Sequence, residues 1–276
     1  MLKQIQNSDY DRYISLIFSP KDKREDLEIL ALFNLEMSRV KNKVSEPMLG
    51  LIRFQWWREA IDEIFDFSKT PRNHELVNLL RNLVEKYKFL SKEEFIRIID
   101  AREKDLETEP FQTYEDFKNY LKNTSAPINI LSLQIIFEKP DIENINLIEN
   151  FSEAWAYGAF IRSAYRNLGA GKCIFPQDLM LKYQLKMSDF GKPEFLENSK
   201  NFIKQINGEY SDKLNYSITE FKKLEKTYRK KSKLMVVFYQ LAKHNLKQIE
   251  NNDFNVLSLP INYYLGFVQL MKLYLA

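Results

Sequence analysis

Cysteine and histidine are almost missing from these 276 residues: there is one thiol, Cys173, and there are two widely separated imidazoles, His74 and His244. A single thiol excludes an intrachain disulfide and a thiolate zinc cluster, and two distant histidines argue against a histidine-built metal centre. Any metal would need carboxylates. Glycine and proline are also scarce, at seven and nine residues, which argues against a turn-rich β protein. No run approaches the roughly 20 apolar residues that span a bilayer. The most apolar stretch, NYYLGFVQLMKLYLA, has 15 residues and contains Gln269 and Lys272, so the segment Leu259 to Leu275 is expected to dock on the domain rather than cross a membrane. The opening MLKQIQNSDYDRYISLIFS has neither the basic segment nor the apolar core of a secretory signal. A Gly-rich phosphate loop, a GxSxG elbow and a CxxC pair are absent. The charge excess is small, 41 Lys and Arg against 38 Asp and Glu, and the aromatic residues do not interleave with a basic groove; both observations exclude a nucleic-acid-binding body.

What is abundant points to helices. Hydrophobic residues make up 45% of the chain, enough for a substantial core, and 20 Phe and 15 Tyr supply large packing side chains. Helical periodicity recurs with almost nothing that reads as a strand, so the expected fold is all-α, a single domain over 1–276 with nine to twelve helices enclosing a central cleft. Helices are expected at 9–18, 24–43, 47–67, 73–88, 91–106, 113–137 and 143–168, the last ending at Gly169-Ala170-Gly171. Pro47 begins one helix, and Ser91-x-x-Glu94 and Thr113 to Asp116 supply N-terminal caps. A short helix follows Pro176, and 194–250 reads as two or three long helices with an interruption at Asn207-Gly208. The basic stretch Tyr228 to Lys233 reads as a solvated helix start or turn.

Several polar groups fall at helical spacing. Arg162 and Arg166 continue a stripe begun by the small residues Ala154 and Gly158, so the two arginines are placed to hold a diphosphate or carboxylate, or to pair with carboxylates of neighbouring helices. Glu59, Asp62, Glu63 and Asp66 line one helical surface, either a solvent face or a contribution to a magnesium site. Asp100 and Asp105 are five residues apart and do not share a face. Adjacent Trp56 and Trp57 point about 100° apart, so at least one is expected in the core. Arg58 and Glu59 are expected to form fixing ion pairs with neighbours.

Three blocks kept in order, LEILALFNLEMSRVKNKVSEPMLGLIRFQWWREAIDEIF, REKDLETEPFQTYEDFKNYLKNTSAPINIL and YGAFIRSAYRNLGAGKCIFPQDLM, resemble the squalene/phytoene synthase family of head-to-head prenyl transferases. The likeness runs over about residues 10–275, and its clearest elements are WRE, the Asp105 segment with Tyr114 and Tyr120, and Arg166 leading to Phe175-Pro176-Gln177-Asp178. It implies an isoprenoid-synthase-like helical fold in which two Asp-rich motifs hold magnesium and, through it, two prenyl diphosphates.

This chain departs from that pattern at both motifs. Where the first is expected it has Asn34-Leu-Glu36-Met-Ser-Arg39-Val-Lys41, with no aspartate; where the second is expected Arg166 matches but Asn167 and then Leu-Gly-Ala-Gly-Lys172 follow. Arg39, Lys41 and Lys172 reverse the local charge, and are expected to bind an anion directly or to pair with Glu36. The segment VKNKVSEPMLGLIRFQWWREAIDEI further resembles the divergent branch that contains the mitochondrial complex I assembly factor. The resemblance therefore implies a catalytically degenerate protein with an assembly or binding role. Its expected ligand-facing residues are Asn34, Glu36, Arg39, Arg162, Arg166, Asn167, Lys172, Asp105 and Tyr120, forming a net basic cleft. Expected partners are an assembly client or a prenyl or lipid-like anion, with peripheral membrane contact. No cofactor is expected. The alternative is an active prenyl transferase of isoprenoid biosynthesis, with Mg2+ held by displaced carboxylates such as Asp62, Asp66, Asp100 or Asp105. The Lys-, Ile- and Asn-rich composition suits a bacterial cytoplasmic protein, peripheral to the inner membrane.

Overall fold

A computed structural model describes residues 1–169, 173 and 175–255, with nothing described of the Tyr165 side chain. Among the described residues there is no strand. The described residues form thirteen α-helices: α1 Leu2–Ser8, α2 Tyr10–Ile17, α3 Arg24–Arg39, α4 Pro47–Phe65, α5 Glu75–Lys86, α6 Lys92–Glu103, α7 Tyr114–Phe137, α8 Ile145–Arg162, α9 Ala164–Gly169, α10 Gln177–Lys182, α11 Pro193–Lys223, α12 Lys226–Lys231 and α13 Lys233–Asn251. This exceeds the expected nine to twelve, because α1 forms where no helix was expected and the helix expected at 143–168 divides into α8 and α9. The expected terminal helix from Leu259 lies outside the described residues.

The caps follow the sequence. Ser91 Oγ accepts from the Glu94 amide at 3.3 Å, and Thr113 and Asp116 satisfy each other's backbone amides reciprocally, both at 3.1 Å. Pro47 occupies the first turn of α4, where its missing N–H costs no helical bond. Gly191, with φ of +86°, makes the turn that precedes α11.

Two expectations fail for physical reasons. The helix expected at 143–168 is broken at Ser163, whose amide and hydroxyl both bond the Phe160 carbonyl, at 3.0 and 2.7 Å, and tighten the chain there. The interruption expected at Asn207-Gly208 does not occur: α11 runs through it, because buried Ile206, Asn207 and Tyr210 anchor the segment against the roughly 1 kcal/mol cost of an exposed helical glycine.

The chain forms two compact units, each assembled from separated segments. The first comprises 1–107, 123–148 and 225–237. Its core is built where α3 and α4 pack on α5 and α6. Phe33, Trp57 and Phe95 are fully or almost fully buried, with Phe33 meeting Phe95 and Trp57 edge-on at 5.3 and 5.7 Å. The second comprises 108–122, 149–224 and the described residues from Phe238 onward. There Phe151 packs on Phe221 and Tyr239, Trp155 on Phe238, and Tyr157 stacks on Tyr210 at 4.6 Å. Gly158 brings α8 against α13: a Cβ at that position would lie 2.5 Å from the Asn245 Cβ.

Candidate functional site

In the first unit, α3 carries Asn34, Glu36 and Arg39 of the segment expected at the first aspartate motif. Asn34 is buried, and its amide oxygen has no hydrogen-bond partner among the described residues. Glu36, one turn-half further on, is clamped by Lys43 and Arg53, each at 2.6 Å. Burial by itself raises the Glu36 carboxyl, but the hydrogen bonds and charges of Lys43 and Arg53 outweigh it and hold the group below its ordinary range. Neither Lys43 nor Arg53 was among the cations expected to pair with Glu36, namely Arg39, Lys41 and Lys172. Chain geometry explains the choice: residues 40–43 tighten into a 3-10 turn that swings Lys43 back over Glu36, while Arg53 reaches it from α4. Arg39 instead donates to Ser8 Oγ.

The carboxylates offered as displaced metal ligands are each engaged by a cation. Arg58 binds Asp100 at 2.6 Å and Glu103 at 2.7 Å; Lys92 binds Asp62 at 2.8 Å; Lys69 binds Asp66 at 3.2 Å; Arg102 binds Asp105 at 3.2 Å. Among the described residues, no three His, Cys, Asp or Glu side chains converge as a metal site. Trp57 is core, as expected of one of the pair, and half-buried Trp56 is covered by the Arg72 guanidinium at 4.7 Å.

Arg72 is a residue that sequence reasoning missed. It forks onto Glu63 at 2.7 and 3.0 Å, reaches Glu59 at 3.2 Å and donates to the Trp56 carbonyl at 3.0 Å, converting the acidic stripe of α4 into an ion-pair network. These hydrogen bonds hold the Glu63 carboxyl down at about 2. The folded state therefore binds this proton less tightly than the unfolded chain does. The stabilisation is complete above the ordinary glutamate value of about 4.3 and is lost as pH falls from there through the folded value. Carboxyl-detected NMR titration should place the Glu63 midpoint near 2 in the native protein, and Arg72→Gln should move it toward the ordinary value. An unchanged midpoint would show that Arg72 does not hold the charge.

In the second unit the break at Ser163 separates the two arginines. Arg162 ends α8 and donates to Asn245 Oδ1 at 3.0 Å, whereas Arg166 lies on α9, so the continuous stripe expected of them is not formed. Arg166 is exposed and has no side-chain partner among the described residues. Asn167 bonds back to the Ser163 carbonyl and hydroxyl at 3.1 and 3.0 Å. Tyr120 is half-buried beside Phe111 and Phe160, with ring centroids at 5.2 and 6.4 Å. Lys172 lies outside the described residues.

The same unit holds a polar layer that no sequence motif announced. Buried Glu153 accepts from the Tyr210 hydroxyl and from Lys213, both at 2.8 Å, and Tyr114 donates to Glu209 at 3.1 Å. Burial, reinforced by the carboxylate charges, pushes the Tyr114, Tyr157 and Tyr210 hydroxyls well above their ordinary range, so all three stay neutral; Tyr114 and Tyr210 donate to Glu209 and Glu153, whereas the buried Tyr157 hydroxyl has no hydrogen-bond partner among the described residues. Spacing on α7, α8 and α11 places these groups, but only packing selects which of them meet.

The squalene/phytoene synthase profile matches residues 5–266 of the chain, taking in both motif-equivalent segments. The chain belongs to the squalene/phytoene synthase family. Its fold agrees: it superposes on a squalene synthase HpnC from Alicyclobacillus acidocaldarius with a TM-score of 0.77 at 15% identity, covering 92% of this chain and 93% of that one. A dehydrosqualene synthase solved in complex with ligand gives 0.77 at 12% identity, covering 99% and 92%. Among curated proteins, the chain is similar to NADH dehydrogenase (ubiquinone) complex I, assembly factor 6. The human protein is 25% identical over 205 residues, 74% of this chain and 60% of that one; the mouse protein is 24% identical over the same span. A Dictyostelium discoideum homolog of that factor is 22% identical over 209 residues, 75% of this chain and 58% of that one. The matches thus span about three-fifths of these relatives' own length.

Proposed function

We propose that this chain is a catalytically degenerate member of its family that acts by binding, in an assembly role comparable to that named for its complex I assembly-factor relatives. The observation that carries the reading is the state of the two motif-equivalent segments. The sole carboxylate of the first, Glu36, is neutralised by Lys43 and Arg53; the second presents Arg166 beside an asparagine. Magnesium-diphosphate chemistry needs several carboxylates free to take a divalent ion, so neither segment is equipped for it. An exposed arginine suits direct capture of an anion through charge-assisted hydrogen bonds. No helix among the described residues is long and apolar enough to cross a membrane. We place the protein in the cytoplasm of a bacterium, peripheral to the inner membrane.

Two measurements test this. Labelled prenyl diphosphates incubated with the protein and Mg2+ should give no coupled product, and calorimetry with inorganic diphosphate should show binding that is indifferent to Mg2+ and weakened in Arg166→Ala. Binding that strictly requires Mg2+, together with a coupled prenyl product, overturns the proposal in favour of an active transferase. Deletion in the source organism should lower the amount of assembled respiratory complex I on native gels. Normal assembly would remove the client assignment while leaving the catalytic one standing.

A further inference from the structure

Ten large hydrophobic residues are exposed among the described residues, and four of them fall within five consecutive positions: Met48, Leu49, Leu51 and Ile52, at 63, 46, 40 and 60% exposure. The other six are scattered along the chain, as isolated surface hydrophobics ordinarily are. This cluster is the N-terminal tip of α4. The residue between the pairs, Gly50, is buried, and a Cβ there would meet the Leu106 side chain at 2.4 Å; the tip is therefore seated on Leu106 through its glycine, and its large side chains face outward. Further along α4 the exposed positions become Gln55, Glu59 and Asp62, so the apolar character is confined to the tip.

Along the chain about the tip the charge is cationic, and the carboxylates flanking Leu106 on which it is seated, Asp105 and Glu107, are paired with Arg102 and Lys104. Between residues 39 and 53 there are Arg39, Lys41, Lys43 and Arg53 against a single carboxylate, Glu46, and counting Glu36 still leaves an excess of two positive charges. At 100° per residue the four apolar side chains fan over about 160° of the helix circumference. A fluid hydrocarbon surface can enclose such a protruding tip, whereas a rigid partner face would contact only part of it. A second copy docked tip to tip would bring like-charged rims together. We propose that the tip of α4, Met48 to Ile52, inserts into the interface of an anionic lipid bilayer, with the Arg39 to Lys43 turn resting on the headgroups. This surface is independent of the anion-binding reading above and stands whether or not that reading holds.

The test is cosedimentation of the full chain with vesicles of phosphatidylcholine alone and of phosphatidylcholine mixed with phosphatidylglycerol. Wild-type protein should pellet with the mixed vesicles, less with the zwitterionic ones, and less again at high salt. The double variant Met48→Ser/Ile52→Ser should weaken binding by about tenfold or more, because each side chain withdrawn from hydrocarbon forfeits a large fraction of its transfer free energy. Leu181→Ser, at a site 81% exposed on α10, should bind like wild type. The double variant leaves the apolar C-terminal run untouched, so its loss of binding reports on the tip. An unchanged circular dichroism melt shows that it is folded. Wild-type protein remaining in the supernatant, or a double variant that pellets equally well, overturns the proposal. So does sedimentation velocity without lipid, if it reveals a dimer that the double variant abolishes, since the tip would then serve self-association.

Discussion

Replacing Trp57 with alanine is expected to lower the unfolding free energy by about 3–5 kcal/mol, measured by denaturant titration. Trp57 is 1% exposed, and its ring sits among Phe33, Trp56 and His74 at 5.7, 5.0 and 5.5 Å. Those neighbours belong to different segments, α3, α4 and the approach to α5, so they cannot collapse together into the space an indole leaves. Loss of transfer energy and the residual cavity therefore add. Trp56→Ala should cost much less, since that ring is only half-buried and one side of it is covered by the Arg72 guanidinium rather than by core side chains. Equal losses from the two tryptophans would contradict this placement of the core.

The second large effect is expected from Glu153→Ala, at about 2–4 kcal/mol. Glu153 is 5% exposed and accepts from Tyr210 and Lys213. Removing it strands a tyrosine hydroxyl in a layer where Tyr210 already stacks on the fully buried Tyr157. Lys213 is 25% exposed and regains some water, which keeps the cost below that of a wholly buried pair. Tyr210→Phe should cost only about 1 kcal/mol, because the carboxylate keeps its lysine. In the Tyr210→Phe background, Glu153→Ala should be milder than in the native one. A Glu153→Ala protein as stable as wild type, or strict additivity of the two substitutions, would refute the coupling.

Local chemistry made most of the helices legible. Ser91, Thr113 and Pro47 announce their helix starts because each acts on backbone groups within three residues, and 113–137 reads as helical despite Pro127 because the apolar spacing persists on both sides of it. The break at Ser163 was not legible, since a serine bonding its own turn leaves no mark on the periodic pattern. Helix α1 was missed because Ile5 is its one buried residue, too little apolar signal to show a face. At the candidate site the residue types Asn34, Arg39 and Asn167 are plain in the sequence, whereas the partners of Glu36 were not. Its clamp depends on Arg53, seventeen positions away and presented by another helix. Arg72 and Glu153 were invisible for the same reason: a charged residue is written the same way in the sequence whether its partner is water or a buried side chain.

The interleaved segments of the two units also constrain how the molecule is made. The first unit needs Glu225–Val237, which leaves the ribosome only after more than four-fifths of the chain has been synthesised. The second needs Thr108–Lys122, which emerges long before most of its other residues. Neither unit can be completed vectorially while translation proceeds, so both must close late, with apolar faces of the nascent chain waiting in water for partners distant in sequence. No single cut in the gene would yield a half with a whole core.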